Sequence, residues 1–311
     1  MEFDIKSYIA RNRAEIDGAL DSLVRGTEPP STRLMEAVRY SLLAGGKRLR
    51  PILMLAACEA VGGDRRRAIP VACALEMIHT YSLIHDDLPS MDDDPLRRGK
   101  PTSHVVFGEA TAILAGDALL TDAFRLIVTE GRAAGIDSAV LCDIIDDMST
   151  AAGSRGMIEG QAIDLALEGR RATSVCEIEN MHSLKTGAMM RTAVTTGARI
   201  GGASADEISS LASYAVALGL AFQIRDDLLD LDAASDTGKA KGNDARRGKS
   251  TYPELAGVDE SRRKMSELIR EAVSRLSAFD ERAEPLRRIA IYLGGGGGSP
   301  QGAASKKGES A

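Results

Sequence analysis

Between Ser82 and Thr102 the chain reads SLIHDDLPSMDDDPLRRGKPT. Five aspartates fall within nine positions, an apolar run precedes them, and Arg97, Arg98 and Lys100 follow at once. Carboxylates grouped in this way suit hard divalent cations, and the neighbouring guanidinium and ammonium groups suit the anion that such cations bridge to. Magnesium in particular keeps several waters and is commonly held by one or two carboxylates plus substrate phosphates. A second acidic group, Asp226, Asp227 and Asp230 in FQIRDDLLD, lies 140 residues beyond the first, counting from Asp86 to Asp226.

On a helix, Asp226 and Asp230 lie about 40° apart around the axis and roughly 6 Å along it, so they share a face, with Asp227 on its flank. Like charges at that spacing destabilise a bare helix. A solvated acidic face is the plain alternative, and the second copy in the same chain weighs against it. The first group is spaced differently. Asp86 and Asp92 are six apart, which would set them on opposite faces of a continuous helix, and Pro89 cannot sit in a helix interior. The helix is therefore expected to end near Asp87, with the chain folding back to return Asp92 to Asp86. A helix C-terminus there would also favour a cation.

Cations accompany both groups. GGKRLRP puts Lys47, Arg48 and Arg50 beside two glycines; Lys185-Thr186-Gly187 follows later, and then Lys239, Lys241 and Lys249. Arginine forks match phosphate oxygens and lysine supplies a point charge. Singly, each could be an ordinary surface charge. As a set they predict polyphosphate binding, once through metal and once directly.

These residues must be positioned by helices, because apolar residues recur at three and four almost throughout and no alternating strand of useful length appears. Helices are expected near 3–25, 31–43, 49–62, 66–87, 107–131, 136–150, 156–168, 173–200, 204–231 and 259–293. The fold class is thus all-α. No Pro-, Gly- or Ser-rich linker divides the first part of the chain, so residues 1–293 are expected to form one domain and the low-complexity segment 294–311 a disordered tail.

The 311 residues, 44% of them hydrophobic and 27% charged, can fill and cover a real core, and the net charge of -6 argues against general nucleic-acid binding. Cys58, Cys73, Cys142 and Cys176 lie far apart in apolar surroundings with no CxxC pair, and read as buried thiols of a reducing compartment. With no signal peptide and no apolar run of membrane-spanning length, a soluble cytoplasmic protein is expected.

Six stretches now stand in order: GGKRLRP (45–51), HDDLPSMDDDPLRRGKPT (85–102), GQAIDL (160–165), KTG (185–187), FQIRDDLLD (222–230) and GKSTYP (248–253). With them the chain resembles the trans-isoprenyl (polyprenyl) diphosphate synthases, most closely the bacterial short-chain branch that makes farnesyl diphosphate. The resemblance spans residues 45–253, about two thirds of the chain. It implies a helical bundle around a deep central cavity, usually a homodimer, with about three Mg2+ ions, for which Mn2+ can substitute. Asp86, Asp92 and Asp226 would be metal ligands, with Asp87 and Asp230 in support. The allylic diphosphate would meet Arg97, Lys185 and Lys249, with Lys239, Thr186 and Gln223 nearby. Isopentenyl diphosphate would meet Lys47, Arg50, His79 and Arg98. The implied activity is head-to-tail coupling of isopentenyl diphosphate to a dimethylallyl or geranyl diphosphate.

Tyr81 and Ser82 lie five and four residues before Asp86, roughly 6 to 7.5 Å down a helix from it. In the resembled family an aromatic residue five before this motif stops growth at fifteen carbons, so Tyr81 favours farnesyl over geranylgeranyl or geranyl product. Two features depart from the family: Pro95 stands where a fourth aspartate is common, and no short basic segment ends the chain. Three rivals can be stated. Glu76-Met-Ile-His79 and Glu179-Asn-Met-His182 have the Glu-x-x-His spacing of di-metal carboxylate bundles of the ferritin type. A terpene cyclase would carry Asn and Ser or Thr in the second motif, and a non-catalytic regulatory subunit would lack one aspartate group.

Overall fold

The computed structural model describes residues 3–25, 32–167, 170, 172, 174–231 and 250–295. These residues form helices joined mostly by short turns, as the periodicity requires. In order they are α1 (Ile5–Arg25), α2 (Arg33–Leu42), α3 (Leu49–Ala60), α4 (Arg65–Asp86), α5 (Ser103–Phe107), α6 (Glu109–Ala133) and α7 (Ser138–Ala152). Then follow α8 (Met157–Leu167), α9 (Val175–His182), a π-helical turn (Ser183–Gly187), α10 (Ala188–Gly201), α11 (Ala205–Leu231), α12 (Tyr252–Ala256), α13 (Val258–Ser274) and α14 (Glu284–Leu293). Apolar residues from nearly all of them join one buried cluster.

Helix α4 is apolar on most of its circumference because it is buried on most of it, packing against α3, α6 and α10. Asp64 caps its start by accepting from the Arg66 amide. Asp86 is its last residue, and Pro89 follows in the turn. Helix α11 lies against α10 and α13 and carries the second acidic group in its last turns.

Several expectations need correction. The helix expected over 107–131 runs from Glu109 to Ala133, and Gly108, with φ 85, separates it from the short α5, which was not expected. The expected 173–200 helix runs on in space but passes through the π-helical turn. The expected 259–293 helix breaks after Ser274, passes a 3-10 turn (Glu281–Ala283) capped by Asp280, and restarts with Pro285 in the first turn of α14. Proline costs nothing there, since that amide has no intrahelical partner. A short ribbon, β1 (Leu96–Arg97) paired with β2 (Lys100–Pro101), was not expected. Its connection, Arg98 and Gly99 with φ 54 and 75, has the two positive φ values of the tight hairpin turns that match strand twist.

Cys58 and Cys73 are buried, but Cys142 and Cys176 are exposed, each on the polar phase of its helix beside Asp143 and Glu177. Helix α11 is also apolar and long enough to cross a membrane by composition alone, contrary to the sequence reading. It packs against α10 and α13, and three aspartates stand in its last turns. The expected tail falls, beyond Gly295, outside the described residues.

Candidate active site

The turn after α4 returns Asp92 to Asp86, as the helix stop before Pro89 allows. The Asp92 amide donates to the Asp86 carbonyl at 2.8 Å, and the Asp93 amide to that of Leu88 at 3.0 Å. The free carbonyls of the helix end are thus satisfied by the very segment that carries the second ligand. Burial pushes the Asp86 carboxyl above the usual range; Lys185 and Arg97 pull it down, whereas Asp92 and Asp87 push it further up. A group so placed is stabilised in its charged form by an added cation.

Asp87 has a different task. Both its oxygens accept from Arg97, with Nε at 2.8 Å from each and Nη2 at 2.6 Å from Oδ1. The pair is largely buried, and the ribbon β1–β2 carries Arg97 into it. Beside it, the Arg98 guanidinium lies over Gly46 and donates to the carbonyl of Gly45. Gly46 has φ 145, and a Cβ there would strike Arg98. The two glycines of GGKRLRP therefore form the seat of an arginine.

Arg50, in the first turn of α3, places Nη1 3.3 Å from His79 Nε2 on α4. His79 is held well below its usual range by burial and by the surrounding Arg50, Arg98, Arg97 and Arg48, so its imidazole is neutral. Burial also lowers Arg50, while Glu76 and then Asp226 support its charge. That pull from Asp226, on α11, and the pull of Lys185 on Asp86 put the two acidic groups at one end of the bundle. Lys47 is exposed.

Lys185 belongs to the π-helical turn and donates to Asp164 Oδ2 at 2.6 Å. Gly160, one turn earlier than Asp164 on α8, lets the Lys185 backbone close in, since a Cβ there would collide with it. Thr186 is buried in the same turn, and Gln223 is half-buried three residues before Asp226. Asp227 is buried and accepts from the Tyr252 amide at 2.8 Å, with His182 Nε2 4.0 Å away. Asp164, the Arg48 contacts and the Asp87–Arg97 pair were not assigned roles from sequence. GQAIDL held the first of them in plain sight, as an acid whose partner lies in another motif.

Tyr81 is buried one turn below Asp86, its ring edge-on to His85 with centroids 5.7 Å apart. Its hydroxyl has no hydrogen-bond partner among the described residues, and burial pushes its pKa up to about 12. Ser82 turns its hydroxyl to the His79 carbonyl at 2.9 Å. Lys239, Lys241 and Lys249 lie outside the described residues.

The ferritin-type reading fails on its partners. Glu76 accepts from buried Arg48 at 2.7 Å, and Glu179 accepts from the Tyr252 hydroxyl at 3.2 Å with Lys264 nearby. Among the described residues no three His, Cys, Asp or Glu side chains converge as a ready metal cage. Paired aspartates with cations around them fit instead a divalent cation completed by phosphate oxygens and water.

Comparison with known proteins places the chain in a family. A family described as Polyprenyl synthetase matches residues 31–287. The chain belongs to that family. A chloroplastic geranylgeranyl pyrophosphate synthase of Catharanthus roseus is 45% identical over 94% of this chain and 81% of its own length. A dimethylallyltranstransferase of Fischerella ambigua is 45% identical over 94% and 83%. Among solved structures, an FPP/GFPP synthase from Zymomonas mobilis superposes with a TM-score of 0.84 at 39% identity, covering 93% of this chain and 98% of that one. The chain is therefore a helical isoprenoid-synthase fold and a prenyltransferase, a class whose substrates are isoprenyl diphosphates.

Proposed function

We propose that this prenyltransferase couples isopentenyl diphosphate to dimethylallyl and geranyl diphosphates and stops at farnesyl diphosphate. The observation that supports the product length is Tyr81, a buried ring one helical turn below Asp86; in this reading the product grows down α4 toward it. A geranylgeranyl product is the second reading, favoured by the names of relatives such as the Catharanthus roseus enzyme.

In this reading Asp86, Asp92, Asp226 and Asp230 hold magnesium, and Asp87 serves by fixing Arg97. Bound magnesium supplies Lewis-acid stabilisation of the leaving pyrophosphate. Arg97 and Lys185 aim fixed charge at the same diphosphate, with Thr186, Gln223, Lys239 and Lys249 beside it. Lys47, Arg50 and Arg98 bind the diphosphate of isopentenyl diphosphate, with neutral His79 as a hydrogen-bonding neighbour of Arg50. As the allylic C–O bond breaks, the isopentenyl double bond attacks the allylic carbon and a proton leaves to the released pyrophosphate. The exposed apolar residues Val105, Val106, Ile113 and Leu114 on α5 and α6 support a homodimer through that face.

The test uses the purified chain with magnesium, labelled isopentenyl diphosphate and each of the five-, ten- and fifteen-carbon allylic diphosphates, followed by product sizing. The expected product from the first two is farnesyl diphosphate, with little extension of the third. A twenty-carbon main product would establish the second reading, and no coupling with any of them would refute both.

A further inference from the structure

Arg48 stands between Lys47 and Arg50 in sequence but turns the other way. It occupies the N-cap of α3 with φ 50, a left-handed backbone that a side-chain-bearing residue adopts only against a cost. Its guanidinium is almost fully buried and makes three hydrogen bonds: Nε to Asp17 Oδ1 at 2.8 Å, Nη1 to Glu76 Oε1 at 2.7 Å, and Nη2 to the Leu42 carbonyl at 2.8 Å. Burial opposes the Arg48 charge, but Glu76 and Asp17 outweigh it.

Glu76 sits three residues before His79 on α4 and so shares its face. The Arg48–Glu76 pair thus underlies the Arg50–His79 contact. Arg50 makes no salt bridge among the described residues, and its Nε is buried without a hydrogen bond. The other oxygen of Glu76, Oε2, is buried and has no hydrogen-bond partner among the described residues either. Glu76, and after it Asp226, supports the charge of Arg50. An arginine and a carboxylate that meet ordinarily form a bidentate pair, which would occupy two of the Arg50 donors.

We propose that Arg48 is a charge lock: by engaging Glu76 it keeps that carboxylate from Arg50 and leaves the Arg50 fork open to the diphosphate of isopentenyl diphosphate. Arg48 is a positioning residue, for it touches no substrate. The proposal rests on the assignment of Lys47, Arg50, His79 and Arg98 to isopentenyl diphosphate made above.

The experiment measures KM for isopentenyl diphosphate at saturating geranyl diphosphate, and the reverse, on the full chain. Arg48→Met frees Glu76 and is expected to raise KM for isopentenyl diphosphate by at least about tenfold, leaving KM for the allylic substrate within about twofold. Arg48→Met with Glu76→Gln removes the freed charge and is expected to bring KM back to within about threefold of the wild type. A buried pair replaced by uncharged groups commonly keeps its fold. If circular dichroism shows that the single variant does not fold, Arg48→Lys, alone and with Glu76→Gln, takes its place, because one ammonium cannot reproduce the fork. An unchanged KM in the single variant overturns the lock, as does a raised KM that Glu76→Gln fails to restore or a parallel rise for both substrates. A wild-type chain that couples nothing removes the pocket assignment and the lock with it.

Discussion

At the scale of single residues, the site divides acids into those that crowd and those that clasp. Asp86 is pushed up by burial and by its acidic neighbours, whereas Asp87, one position on, is fully engaged by Arg97. Asp87→Asn leaves the Arg97 guanidinium largely buried without its counter-charge, and is expected to cost about 3 kcal/mol of stability. Urea unfolding checks this, with Asp230→Asn as comparison: that half-buried variant should lose much less stability. Tyr81→Ala belongs to the same scale. Removing the buried ring opens the path below Asp86, and product sizing should show a shift from fifteen carbons to twenty or more, with unchanged product removing Tyr81 from the floor. Which of these roles could be read in advance follows from what sets them. Pro89 favours a helix stop, so the end of α4 near Asp87 was legible from backbone sterics, whereas the return of Asp92 was left open by them. The choice of Asp87 over Asp86 by Arg97 depends on a two-residue ribbon whose turn is made by Arg98 and Gly99, and no periodicity announces a strand that short.

At the scale of elements, the acidic and basic motifs are set by helix ends and one irregular turn. Long helices such as α4 and α11 were legible because their apolar spacing is sustained and their stops are marked. The failures occur where a local breaker decides: Gly108 between α5 and α6, and the capped restart at Asp280 and Pro285. The π-helical turn at Ser183–Gly187 left no trace in the pattern, since one altered turn barely shifts the phase of its flanking helices. That turn is nevertheless what presents Lys185. Its seat is Gly160 on α8, so Gly160→Ala should displace the turn and separate Lys185 from Asp164. The expected result is at least about a tenfold loss of kcat from misplacing a single charge-stabilising group. Steady-state kinetics beside a thermal melt would check it, and wild-type kcat in a folded variant would show that α8 yields instead.

At the scale of the whole molecule, the bundle holds two histidines, His182 buried and His79 half-buried, that stay neutral. Burial lowers His182 to about 4; Asp164 pulls the other way and Lys185 pushes it further down. His79 is also held well below its usual value. The unfolded chain takes up a proton at the ordinary histidine value of about 6.5, while the folded chain resists until lower pH. Between those points the unfolded state binds more protons, so stability is fully present above about pH 6.5 and is lost as pH falls toward the folded-state value. For His182 alone the loss between pH 7.5 and pH 5 is about 2 kcal/mol. Asp86, held above its usual value, acts in the opposite sense as it titrates, and raw acid curves mix the two contributions. The comparison that isolates the histidine is wild type against His182→Gln, by urea unfolding at both pH values. The variant should lose about 2 kcal/mol less than the wild type over that interval, because an amide cannot be protonated in the unfolded chain. Equal losses would mean that His182 accepts its proton in the fold, and that the space beside Asp227 and Lys185 admits a charge after all.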